Sequence, residues 1–168
     1  MGFNEGFRGN PDRRGGQGQG RPGGSRPGFG APSGANRSGS GDSEIDSVLA
    51  AVDLFMNTSR DPNGEVLIDN AMKLGAYLNS KEMTSSQIRN LYVTAKKINY
   101  EDCDGPYEVS MLRARFAYAA GRHKKQVGPF QKVADRALAR VKSAEEFRRF
   151  MDFFEAVVAY HRAYGGRE

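Results

Sequence analysis

With one cysteine, Cys103, in 168 residues, the chain has no internal disulfide and lacks the ligands for a thiolate zinc cage. Tryptophan is absent and histidine occurs twice, at His123 and His161. Neither histidine has a carboxylate or a second histidine three or four residues away, so the usual helical metal sites have no nucleus here. His161 lies on an aromatic stripe and is expected in the core. His123 sits among cations that oppose its protonation, and reads as a polar contact on a basic surface. No uninterrupted apolar run approaches the roughly 18 to 20 residues that span a bilayer, and residues 1–20 lack the apolar stretch of a secretory signal. A soluble, cytoplasmic protein is expected.

What is present is unevenly spread. Residues 1–42 hold 14 of the 21 glycines, 4 of the 7 prolines and 6 arginines but no lysine. Their only apolar bulk is Met1, Phe3, Phe7 and Phe29. Such a segment buries too little surface to offset its ordering entropy, so 1–42 is expected to be a disordered, weakly basic tail. Residues 43–168 then form a single domain. Arginine with glycine and phenylalanine also resembles the segments that hold RNA by charge and stacking, although a plain linker fits the sparse cations as well.

The net charge is +5, and its signs are segregated. Residues 43–70 carry six acids and only Arg60, a net of −5; residues 113–149 carry eleven bases against Asp135, Glu145 and Glu146, a net of +8.

The apolar residues recur at helical spacing. Ile45, Val48, Leu49, Val52, Phe55 and Met56 follow Ser43, a suitable N-cap, and stop before the turn-forming Asp61-Pro62-Asn63-Gly64. Leu67, Ala71, Leu74 and Leu78 form a second stripe. Thr84 with Gln87 is a capping box opening a helix with Ile88, Leu91, Tyr92, Ala95 and Ile98 on one face. Residues 100–106 read as a polar loop. Met111, Leu112, Arg115, Phe116 and Ala119 mark a fourth helix with Gly121 near its end, and Phe130, Val133, Ala134, Leu138 and Val141 a fifth. Ser143 with Glu146 caps a last helix through Phe147, Phe150, Met151, Phe154, Val157, Val158 and His161, closed by Gly165-Gly166. No segment shows sustained period-2 alternation, so the expected fold is all-α, a bundle of five or six helices.

Little of this points to catalysis. Glu101, Asp102, Asp104 and Glu108 form the one dense carboxylate cluster, as a divalent-metal nuclease would want, yet no basic or nucleophilic partner lies near it in sequence. A solvated loop is the simpler reading, and Cys103 within it has its thiolate disfavoured. The cations are more informative. Arg122, His123, Lys124 and Lys125 gather at a helix end, while Lys132, Arg136 and Arg140 recur every four residues on one helix face. A row of cations neutralises successive phosphates without reading any base. An ordinary solvated helix face has the same pattern.

Three stretches, in this order, carry a resemblance: Met83-Thr84-Ser85-Ser86-Gln87-Ile88-Arg89-Asn90-Leu91, then Phe116-Ala117-Tyr118-Ala119-Ala120-Gly121-Arg122, then Phe153-Phe154-Glu155-Ala156-Val157-Val158-Ala159-Tyr160-His161-Arg162-Ala163-Tyr164-Gly165-Gly166. Together they resemble the small helical subunit of type III-A CRISPR (Csm) effector complexes over about residues 45–166, without the tail. The resemblance implies a non-enzymatic, all-α subunit of an antiviral ribonucleoprotein, stacked in several copies beside a guide RNA–target RNA duplex. Its partners would be the large subunit, the backbone subunit, copies of itself and the target RNA backbone, with no cofactor and no metal. Carried over by motif position, Arg89 and Arg122 are the first RNA-binding candidates. Lys96, Arg115, Lys124, Lys125, Lys132 and Arg136 are added from charge and helix face. The acidic 43–70 segment could serve stacking against a neighbour's basic face. An architectural subunit that meets acidic protein rather than RNA is the alternative.

Overall fold

The apolar stripes place the elements of the structure, a computed structural model that describes residues 39–166. For 39–42 and 124–126 only the backbone is described. Most of the 1–42 tail therefore lies outside the described residues, as do 167 and 168. The described residues belong to one compact unit. They form α1 (Gly39–Phe55), α2 (Glu65–Ser80), α3 (Ser85–Lys96), α4 (Gly105–Arg122), α5 (Lys124–Leu138) and α6 (Ala144–Ala163), with no strand among them. None of these helices is long and apolar enough to cross a membrane.

Boundaries differ from the sequence reading in two places. The first helix begins at Gly39, so Ser43 lies inside it instead of capping it. Helix α4 begins at Gly105, within the segment read as a loop, with Pro106 in its first turn, where a missing N–H costs nothing. Thr84 makes the complete capping box, accepting from Gln87 N (3.2 Å) while Gln87 Oε1 accepts from Thr84 N (2.9 Å). Ser143 makes only half of one: its hydroxyl accepts from Glu146 N, but Glu146 reaches back one residue further, to Lys142 N (2.6 Å).

Helix α6 is the axis of the bundle, packed on α2 and α3 and touching α5. Its stripe is wider than the single face read from spacing, because Phe153 is buried beside Phe154 and stacks on Phe55 of α1 at 4.6 Å. Phe154 is the hub of an aromatic cluster, with Tyr92, Phe116, Phe130 and Phe150 all within 6.0 Å between ring centroids. The close approach of α2 to α6 requires a glycine at 75. A Cβ there would lie 2.8 Å from His161 N and 2.9 Å from Tyr160 Cβ. Helices α4 and α5 form an antiparallel hairpin turning at His123, with Phe116 edge-on to Phe130.

The far end of α6 is clasped to the α2–α3 corner. His161 is fully buried as expected, its Nε2 donating to Met83 O at 2.7 Å. Asn79 Nδ2 donates to Tyr164 O (2.6 Å) and the Ser85 hydroxyl to Gly166 O (3.1 Å). Tyr160 is half-buried against the core, whereas Tyr164 is exposed.

Candidate nucleic-acid interface

The eight sequence-selected cations fall on three helices. On α3, fixed at its start by the Thr84 box, Arg89 and Lys96 stand seven residues apart on one exposed face. Lys96 Nζ lies 5.6 Å from the centroid of the Tyr92 ring. That ring is held by a 2.7 Å hydrogen bond from its hydroxyl to Glu155 Oε2. Burial, then this hydrogen bond and the Glu155 charge, push the Tyr92 phenol up to about 12.

On α4, Arg115 and Arg122 are exposed. Arg115 Nη2 is 3.3 Å from Glu108 Oε2, and both line a surface cleft of about 450 Å3 with Lys97, Asp102 and Asp104. Lys97, which the sequence reading passed over, thus shares a cleft with Arg115. Its signal was the adjacent Lys96-Lys97 pair.

On α5, Lys132 is exposed, but the row it begins is diverted. Arg136 Nη2 and Arg140 Nη1 converge on the carboxylate of Asp53 in α1, at 2.8 and 3.2 Å. The hydrogen bond from Arg136 holds the Asp53 carboxyl below its ordinary range against the opposing cost of burial, and the charges of Arg136, Arg140 and Arg60 add to its effect. The side chains of Lys124 and Lys125 lie outside the described residues.

Two further members of the basic segment are also bound within the chain. Arg113 Nε donates to Asp135 Oδ1 at 2.8 Å. Arg149 is 2.7 Å from Asp61 Oδ2 in a largely buried pair. Much of the charge segregation between 43–70 and 113–149 therefore closes the bundle on itself, with Asp53 and Asp61 drawing helices α5 and α6 against α1 and the turn after it. Arg89, Lys96, Arg122 and Lys132 have no ion-pair partner among the described residues.

The carboxylate cluster does not converge. Glu101, Asp102 and Asp104 are exposed, Asp102 accepts from Asn99 Nδ2 at 2.8 Å, and Glu108 is taken up by Arg115. Among the described residues no group of three or more His, Cys, Asp or Glu is placed to hold a metal ion.

A family model described as Csm2 Type III-A matches residues 61–167. The chain belongs to the Csm2 Type III-A family. The CRISPR system Cms protein Csm2 of Streptococcus thermophilus is 34% identical over 94 residues, which cover 51% of this chain and 76% of that protein. No solved structure matches. Membership makes the chain a non-catalytic small subunit of the type III-A Csm complex, in association with other Csm subunits. The Csm2 match starts at Asp61, so α1 lies ahead of it, although Val48, Val52 and Phe55 of α1 are fully buried in the same core.

Proposed function

We propose that this subunit binds the target RNA backbone without regard to sequence, stacking in several copies along the guide–target duplex in cytoplasmic antiviral defence. The observation that supports this reading is the set of exposed cations left without acid partners on α3, α4 and α5: Arg89, Lys96, Arg122 and Lys132. Where most neighbouring arginines are spent on carboxylates of the same chain, these four keep their charge for an outside polyanion. Cations on phosphate ignore base identity, and guide pairing supplies the specificity. Lys124 and Lys125 are proposed from their charge in the sequence alone, while Arg115 and Arg136 contribute through charge already shared with Glu108 and Asp53.

The architectural alternative, in which the basic surface meets acidic protein of the backbone or large subunit, draws on those shared charges. Titration of single-stranded RNA by the isolated protein across a salt series separates the two. RNA contact gives a log–log slope of about −0.7 per phosphate neutralised, shallower by about that amount for each of Arg89→Ala, Arg122→Ala and Lys132→Ala. Unchanged affinity and slope in the triple variant would leave the architectural reading standing.

A further inference from the structure

We infer that α4 carries a self-complementary seam through which two copies of this chain pair, α4 against antiparallel α4. The helix turns Val109, Leu112 and Phe116 into the core. A surface helix is ordinarily polar on the opposite side. Here that side presents Tyr107, Met111 and Tyr118, exposed by 64%, 37% and 70%, with Ala114 exposed between them. Half of the six large exposed apolar residues among the described residues thus lie on one stripe. The positions 107, 111, 114, 118 and 121 alternate steps of four and three, the spacing that keeps a seam against a partner helix.

The order of sizes along the seam chooses a second copy as occupant. In an antiparallel pairing centred on Ala114, Tyr107 lies opposite the partner's Gly121, Met111 opposite the partner's Ala117 and Tyr118 opposite the partner's Ser110. Ala114 meets the partner's Ala114. Each large side chain faces a small one, and nothing lies within 4 Å of the position a Cβ on Gly121 would take, so that slot is open. Charge agrees on balance. Glu108, Arg115 and Arg122 flank the seam at seven-residue intervals, and reversing the helix sets Glu108 beside the partner's Arg122 on both sides, two attractive pairs against the one like-charge contact of Arg115 with the partner's Arg115. A parallel pairing would put tyrosine on tyrosine and make neither ion pair. The contact is two-fold and closed, unlike a repeating stack, and does not depend on the RNA-binding reading. A seam of about 21 Å with two tyrosines and a methionine per copy falls short of a standard interface, so the pair is weak, with a Kd on the order of 10–100 µM.

Sedimentation equilibrium of the full chain without RNA tests this, with dimer mass expected to emerge as concentration rises through that range. A Cβ at position 121 has nothing within 4 Å, so Gly121→Leu should leave the thermal melt intact while weakening association about tenfold or more. Arg122→Glu should weaken it, and adding Glu108→Arg should restore it. In a Cys103→Ser background, Ala114→Cys should link to its own copy on oxidation, whereas Ser110→Cys should not, because it faces the partner's Tyr118. A protein that stays monomeric up to about 1 mM, well above the expected Kd, overturns the inference, as does a dimer indifferent to Gly121→Leu. So does a Tyr118→Ala variant that loses RNA affinity in a protein showing no self-association, which would make the stripe a base-stacking surface.

Discussion

Replacing Arg149 with methionine should be among the most damaging single changes to this bundle outside the aromatic core. The guanidinium on α6 donates from Nε to Phe55 O (2.9 Å) at the end of α1, and from Nη2 to both Asp61 O (2.6 Å) and Asp61 Oδ2 (2.7 Å). The side chains of Arg149 and Asp61 are only 12% and 4% exposed. Asp61 in turn accepts from Val66 N (3.2 Å) and Leu67 N (3.0 Å), serving the first turn of α2, whose N-cap Gly64 has no side chain to do so. Methionine conserves most of the buried stem but leaves a carboxylate in the interior with no countercharge. Breaking one partner of a buried pair costs about 3–5 kcal/mol. The apolar replacement recovers part of this, for a net loss of about 3 kcal/mol and a Tm lower by about 10 °C. Urea unfolding followed by circular dichroism measures it. Asp61→Asn added to Arg149→Met removes the stranded charge and should recover at least about 1 kcal/mol, a coupling that a double-mutant cycle isolates. A loss below about 1 kcal/mol for the single variant would mean the pair behaves as a solvated surface bridge, refuting the argument from burial.

Three other expectations follow from the structure. Tyr92 is protonated up to about 12, above the ordinary phenol near 10, so its contribution is whole below about pH 10 and is lost as pH rises toward 12. Tyr92→Phe should therefore flatten the alkaline fall in the urea midpoint, and an unaltered profile would contradict the assignment. Asp53→Asn releases Arg136 and Arg140 on a solvated surface, so RNA affinity should rise and its salt dependence steepen while stability changes little; a fall in affinity would count against both arginines as RNA ligands. Gly75→Ala removes a poor helix former, yet forces α2 from α6, and the overpacking should win by about 1–2 kcal/mol in a thermal melt.

The helices were legible because each buries a continuous stripe, and spacing of three and four records that burial directly. Thr84 and Gln87 were legible for a similar reason: a reciprocal cap needs only residues three apart. Phe153 was not. Spacing identifies one face, and α6 is covered on more than one because α1 reaches it. The pairing of charges was also hidden. Asp53 with Arg136, and Asp61 with Arg149, join positions more than eighty residues apart, and only the packing of α1, α5 and α6 decides which cation meets which acid. The sequence therefore showed a basic segment in full but not how much of it would be neutralised at home. Of the residues that sequence reasoning singled out, Arg89, Arg122 and Lys132 are exposed, while Arg115 and Arg136 are partly engaged.

The clasp made by Asn79, Met83 and Ser85 on residues 161–166 has a consequence for how the chain is made. Its three hydrogen bonds span 78 to 85 positions, so the α2–α3 corner stays unfastened while a ribosome is still adding α4, α5 and α6. Final closure of the bundle comes only as translation delivers the last turn of α6, and a nascent chain stalled before Tyr160 holds a Met83 carbonyl with no imidazole to receive.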